Sequence, residues 1–290
     1  MAMTSRPVGT VSRLWRFPVK SMMGERRSRL DVAEHGIVGD RWWATRDEEK
    51  GGIRGAKKIG SLMGLAASYV DEPVRGGPVP PVEITLPDGS SVRSDDPSCA
   101  EVVSRAVDRR VTMWPLRPAD ELDHYRRTAA DHDDLEVELR EMFQREPDEP
   151  LPDFSTFPPE VIEFESPPGT YYDAYPVLVL TTATLAHLEE LAPDSVVDER
   201  RFRPNIVIES DGHGFVEQAW VGSTLTFGEV ELDVVAPCAR CVMITRAFDD
   251  LPQDRALMRT VVAAANQNLG VYATVRRTGS IDLGAPVSLG

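Results

Sequence analysis

Cysteine is scarce in this chain, with three in 290 residues, and two of the three stand only three positions apart. Such a set builds no disulfide framework and suits a reducing compartment, so the expected location is the cytoplasm. Positive charge is in deficit as well: 32 Lys+Arg face 47 Asp+Glu, for a formal net charge of -15. That sign opposes non-specific binding to nucleic acid or to anionic lipid, and neither is expected as a partner. Any basic site must be local. Also missing is an apolar window of the roughly 18 to 20 residues that a membrane span needs. Met1 to Val11 holds Arg6 but no apolar run of signal-peptide length, so neither export nor anchoring is expected. No repeat of fixed period appears. What remains, 41% hydrophobic and 27% charged, is the composition of a globular protein large enough for one extended core or two domains.

Most of the chain reads as short strands between turns. Val11 to Phe17, Arg41 to Thr45, Val82 to Leu86, the segment at Val92 and Val111 to Trp114 are strand candidates. Pro87-Asp88-Gly89 reads as a hairpin turn, because Pro pre-sets the turn and Gly supplies positive φ. Ala100 to Val107 is a helix candidate, yet helical period is otherwise rare here, which favours a barrel-like or open β domain. From 116 to 170 the texture changes: Asp131-His-Asp-Asp134 leads into a helix candidate, Leu135 to Phe143, and prolines then crowd positions 147 to 168. Proline at that density excludes regular helix or a central strand, so an acidic, Pro-rich connection draped over the surface is expected. Beyond it, Val177 to Leu180 is a strand, and Thr181 or Thr182 caps a helix over Leu185 to Leu191. Ile206 to Glu209, Thr224 to Phe227, Glu231 to Val235, Val242 to Thr245 and Leu269 to Arg276 are strands, with a helix from Leu257 to Asn266. The expected division is 1–115, 116–170 and 171–290.

The most informative segment is Asp233-Val-Val-Ala-Pro-Cys-Ala-Arg-Cys-Val-Met-Ile-Thr245. A guanidinium directly before Cys241 favours the thiolate, which is a better metal ligand or nucleophile than an isolated thiol. Zinc is not expected, since structural sites want four ligands at recognisable spacing; Cys99 stands alone and the five histidines are scattered in sequence. Dithiol exchange is also disfavoured, because the β-branched residues after Cys241 point to a strand rather than a helix N-terminus. Spacing alone leaves buried structural thiols open.

Two basic clusters accompany the cysteines. In Arg200-Arg-Phe-Arg-Pro-Asn-Ile-Val-Ile208, Arg203 and Asn205 straddle Pro204, which fixes the backbone and holds two polar side chains in set directions suited to a heterocycle or its phosphate. In Phe17-Pro-Val-Lys-Ser-Met-Met-Gly24, Lys20 and Ser21 at a strand end suit a phosphate oxygen, with Gly36-Ile-Val-Gly-Asp-Arg-Trp-Trp43 close behind. The plain alternatives are a solvated Lys20 and an Arg41 stacked on the neighbouring tryptophans.

Taken together, FPVKSMMG, GDRWW, Asp173 to Leu185, RFRPNIVIE, FVEQAWVGSTLTFGE, PCARC and the closing Gly279 to Val287 resemble the MOSC superfamily with its N-terminal β-barrel partner. The branch they look most like is the amidoxime-reducing and hydroxylaminopurine-detoxifying one. The resemblance implies a mainly β, α+β fold in which a MOSC β-barrel packs against an N-terminal β-barrel-like domain, with the site in the cleft between them. It implies a molybdenum cofactor (molybdopterin) with Cys241 as metal ligand. Arg240, Arg203 and Asn205 would contact the pterin or its phosphate, and Lys20, Ser21 and Arg41 the phosphate end. Asp173 is a candidate proton donor or orienting group. The chain departs from the family in Ile244-Thr245 for the usual paired threonines, Arg246-Ala-Phe-Asp249 for the usual Asp-Pro, and Ala174 and Tyr175 for small hydroxyl residues. Neither a membrane anchor nor a ferredoxin-like domain is seen, and three cysteines supply no iron-sulfur cluster.

The expected function is therefore two-electron reduction of N-hydroxylated small molecules such as amidoximes, hydroxylamines or N-oxides. Electrons would come from a separate ferredoxin- or cytochrome/flavin-type reductase. Two other classes compete: a carrier of the cofactor, or of sulfur as a Cys241 persulfide, that turns over no substrate, and a β-barrel binding module whose cysteines are structural.

Overall fold

The computed structural model describes residues 5–155 and 157–290. Seven strands close into a barrel in the order Arg6–Arg16, Ile206–Glu209, Val177–Thr181, Asn268–Arg277, Val230–Ala239, Thr224–Phe227 and Pro286–Leu289, which returns to Arg6–Arg16. The first strand of the chain thus closes a barrel otherwise built from residues beyond 176. Their patterns suit this: along Val230–Ala239 every second residue is buried, the period-2 pattern of a strand with one face inward, while Val177–Thr181 is buried throughout. Val11, Leu14, Val179, Ile206, Val234 and Val271 meet in the resulting core.

One connection is parallel. Val177–Thr181 pairs in parallel with Ile206–Glu209, so the chain must cross over between them, and the helix Thr182–Leu191 serves that crossing. Its start is fixed by the Thr181 hydroxyl, which accepts from the Thr184 amide at 3.1 Å.

The region before residue 116 supplies small sheets. Ala66–Tyr69, Val82–Thr85 and Ser91–Arg93 form a meander whose Pro87-Asp88-Gly89 turn closes as the spacing predicts, with Gly89 at φ 83°. Trp43–Asp47 pairs with Val111–Pro115; Arg41, expected to open that strand, sits instead in a left-handed turn at φ 53°. A second core cluster joins Val19, Met22, Leu62 and Met63 to Met243, Phe248 and Leu251, which seals the end of the barrel against this region.

The connection from 116 to 170 is more ordered than its prolines imply. It forms the helices Leu122–Tyr125, Leu135–Phe143 and Glu160–Glu163. The last begins directly after Pro158-Pro159, where the missing amides of proline cost nothing. Tyr125, Phe143 and Phe164 are buried, so the segment packs as a wall rather than lying loosely on the surface.

Candidate active site

Strand register brings the chemistry-bearing residues to one end of the barrel. Leu14 pairs with Ile206, and Tyr272 lies opposite both Leu178 and Ala236. The segments just outside those positions, carrying Lys20 and Ser21, Arg203 and Asn205, Asp173 and Tyr175, and Cys238 to Cys241, therefore emerge together. They line a cavity of about 550 Å³, joined by Arg41 and by Lys57. Every site residue expected from the sequence lies on this one cavity. Their roles differ from expectation in several places.

Cys241 lies two residues past the strand Val230–Ala239, whose register against Asn268–Arg277 shifts at Glu231/Leu232, Val234/Ala236 and Pro237/Ala239 and so re-aims the chain. The segment that follows is not the expected strand: Val242–Thr245 is a 3-10 turn. Arg201 decides this against local β-propensity. Completely buried, it donates to the carbonyls of Val196, Ile244, Arg246 and Pro252 at 3.1, 3.2, 3.1 and 2.7 Å, which pins the turn from behind. The three arginines of this stretch thus separate: Arg200 pairs with Asp198, Asp249 and Asp250 on the surface, Arg201 holds the turn, and Arg203 faces the cavity.

The two cysteines are unequal, and not in the way that adjacency predicts. Arg240 precedes Cys241 in sequence, but its Nη1 donates to Cys238 Sγ at 2.9 Å and its Nη2 to the Phe202 carbonyl at 2.7 Å. Cys238 is buried, and burial pushes its thiol up in pKa against the pull of Arg240 and a hydrogen bond with Tyr272. Cys241 is only partly buried. Its sulfur acts electrostatically on Lys57, Arg246 and Arg240. Arg246 also ties the turn to the first region by donating to the Lys57 carbonyl at 3.2 Å. A Cβ on Gly60 would meet Arg246 Nη1 at 2.4 Å, so a larger residue there would displace the Arg246 side chain.

Lys20 is not the free phosphate contact that its position suggests. Its ammonium donates to Ser166 Oγ at 3.2 Å, the Tyr171 carbonyl at 2.9 Å and Asp173 Oδ1 at 2.5 Å, which engages all three protons. Burial lowers its pKa, Asp173 opposing. Lys57, which nothing in the sequence singled out, takes the other carboxylate oxygen of Asp173 at 3.1 Å. Burial alone would lower Lys57, but Asp173 and then Cys241 raise it above the ordinary lysine value. Asp173 lies between two ammonium groups. Burial would raise its pKa, yet Lys20 and Lys57 hold it well below the carboxylate range. Its side chain is 38% exposed, a surface that opens on the cavity. It has no proton to donate near neutrality and serves instead to orient the two lysines.

Asn205 is likewise a latch. Its amide accepts from the Leu178 amide at 3.1 Å and donates to Asp40 Oδ1 at 3.0 Å and the Trp15 carbonyl at 3.4 Å, joining three segments of the barrel mouth. Ser21, at φ 73°, accepts the Ala56 amide at 2.8 Å and so fixes the loop that carries Lys57. Arg41 pairs with Asp40 and lies over Phe17, 5.2 Å from the ring centre, rather than on Trp42 or Trp43. Arg203 lies 4.2 Å over the same ring and donates to the Met22 carbonyl. Burial, then the nearby Arg41, pushes its pKa down to about 9, against the pull of Asp40 and Asp173. Its Nη2 and the Nε of Arg240 are buried without an acceptor among the described residues.

Two family models match the chain: the MOSC N-terminal beta barrel domain over residues 8–117 and the MOSC domain over residues 167–288. The chain is a MOSC-domain protein. It is 25% identical to mitochondrial amidoxime-reducing component 1 of Homo sapiens over 312 residues, which span 97% of this chain and 83% of that protein. Over a shorter stretch of 126 residues it is 34% identical to mitochondrial amidoxime-reducing component 1 of Danio rerio, covering 40% of this chain and 38% of that one. Cys238, Cys241 and the cavity cations Lys20, Arg41, Lys57, Arg203 and Arg240 fall within the matched segments of this MOSC-domain protein. The connection between residues 118 and 166 falls between them. Among the described residues no helix is long and apolar enough to cross a membrane. One further group, His187, Glu190 and His213, brings potential metal-ligating atoms within 4.8 Å of one another and includes neither cysteine. Two of the histidines that look scattered in sequence therefore meet in space.

Proposed function

We propose that this chain binds a molybdenum cofactor and reduces N-hydroxylated compounds such as amidoximes, taking electrons from a separate ferredoxin- or cytochrome/flavin-type protein. The observation that carries this reading is the convergence of a partly exposed thiol, Cys241, with Lys57, Arg203 and Arg240 on one cavity of an otherwise acidic MOSC-domain chain. Kinship with amidoxime-reducing components supports the same class of reaction.

The residues present fit such a group. A soft sulfur donor suits a transition metal that favours thiolates. The buried nitrogens of Arg203 and Arg240 that lack an acceptor, and the depressed pKa of Arg203, both mark a place suited to an anion. Cys241 would be the protein's ligand to the metal, and Arg203 and Arg240 would hold the pterin or its phosphate. When bound, the cofactor supplies the two-electron chemistry at nitrogen. The chain supplies the surroundings. Asp173 keeps Lys57 beside Cys241, Arg201 fixes the turn behind the sulfur, and the 116–170 connection restricts water at the cavity. Asn205 and Ser21 act by positioning, and Lys20 by anchoring Asp173.

The test is metal and pterin analysis of protein made in a host that assembles the cofactor, together with reduction of benzamidoxime by an artificial electron donor. Stoichiometric molybdenum with turnover is expected. A protein without molybdenum would overturn the reading. Molybdenum or a stable sulfur adduct on Cys241 without turnover would make the chain a carrier instead.

A further inference from the structure

The cavity has an apolar wall that the reduction itself does not require. Leu139, Met142 and Phe143, from the helix Leu135–Phe143, and Phe154, Phe157 and Ile162, from the stretch beyond it, line the same cavity as Cys241. The rings form a chain, with Phe143 and Phe154 centred 5.3 Å apart and Phe154 and Phe157 6.0 Å apart. Ile162 is 81% and Phe154 37% exposed. Isolated exposed apolar residues need no explanation, but a continuous set at the side of a functional cavity marks a recognition surface. This wall lies wholly in the connection between the two family matches, whereas Lys20, Lys57, Arg203, Arg240 and Cys241 lie inside them; the connection adds one cation of its own to the lining, Arg127. The two parts of the cavity thus have different chemistry and different origins.

Resting on the reductase reading above, we propose that this wall sets substrate choice. It selects N-hydroxylated small molecules with an extended apolar body, such as an amidoxime on a long alkyl or aryl group. The polar head would lie toward Cys241 and Lys57, and the body along Leu139, Phe154 and Phe157. A compact polar N-hydroxy compound would gain nothing from the wall. An extended chain would gain with every methylene it buries, at about fourfold in affinity each.

The experiment uses straight-chain amidoximes of increasing length. Their binding is measured by calorimetry, and their turnover is measured in parallel on the same protein of known molybdenum content. Affinity and kcat/KM are expected to rise severalfold per added methylene until the wall is covered. The slope should flatten in Leu139→Asn and in the exposed variant Ile162→Ser, which leaves folding intact, while molybdenum content stays unchanged. Turnover with no dependence on chain length, or a slope untouched by both variants, would overturn the proposal. Length-dependent binding that flattens in the variants, without molybdenum or turnover, would sustain the wall and overturn the reductase reading. The two failures are therefore distinguishable.

Discussion

The barrel mouth and the connection beside it face the same cavity but are built by opposite means. At the mouth, polar side chains are locked by several partners each: Lys20 by three acceptors, Asn205 by three segments, Arg201 by four carbonyls. Along the connection, the wall's apolar side chains touch one another and stand partly in solvent, while polar anchors such as Arg127 and Arg140 hold the segment's backbone rather than those side chains. The contrast teaches where this chain tolerates change. A charged, buried constellation loses several interactions with any one residue, whereas an apolar wall on short helices exchanges side chains at small cost. Chemistry is proposed for the first and selectivity for the second.

The sharpest way to break this comparison is at Arg201. Replacing it with Met removes hydrogen bonds to four carbonyls, that of Ile244 buried, with an expected loss of about 4 kcal/mol, read from the denaturant midpoint. A loss below about 1 kcal/mol would mean that the mouth is no more tightly held than the connection.

A smaller effect is expected at Asp173. Replacement with Asn removes the charge shared by Lys20 and Lys57. The cost is about 2 kcal/mol at neutral pH, less than for a fully enclosed pair because the carboxylate opens on the cavity. The pH dependence fixes the mechanism. A carboxyl held below its unfolded value contributes stability above about pH 4, and that contribution is lost as pH falls through the depressed folded value, because the unfolded chain then binds more protons. The difference between wild type and Asp173→Asn should therefore be constant above about pH 4 and shrink below it. Urea melts across that range check it, and a difference that grows on acidification would reverse the assigned charge state.

The smallest effect belongs to the wall. Ile162→Ser should change stability by less than about 0.5 kcal/mol, since the residue is 81% exposed. Thermal unfolding reads this directly. A larger loss would make the wall part of the core and bring the two regions closer together than they look.

Much of this arrangement was legible before any coordinates. Short apolar runs marked Val177 to Leu180 and Ile206 to Glu209, which are buried on both faces, and period 2 is visible in Thr224 to Phe227, which has one buried face. Lys20 and Arg203 stood out because each lies near a proline at a strand edge, and Cys241 because an arginine precedes it in a Cys-x-x-Cys spacing. Three things were not legible, all for one physical reason: long side chains choose partners across space. Arg240 passes over the cysteine beside it in sequence and donates to Cys238. Lys57 looks like any solvated lysine until Asp173 and Cys241 are seen near it. Val242–Thr245 has strand-forming residues but becomes a 3-10 turn, because Arg201 holds its carbonyls. In the connection, Leu135 to Phe143 was legible as a helix, but counting prolines hid the short helix Glu160–Glu163, since proline is harmless just before a first turn.

The two cysteines are unequal: Cys238 is a buried partner of Arg240 and Tyr272, and Cys241 is the one proposed as metal ligand. The most direct measurement is the molybdenum content of wild type, Cys241→Ser and Cys238→Ser, purified from one cofactor-producing host and compared at equal fold stability. Near-stoichiometric metal in wild type and Cys238→Ser, with little in Cys241→Ser, is the predicted result. Equal metal in both variants, or loss in Cys238→Ser alone, would contradict it.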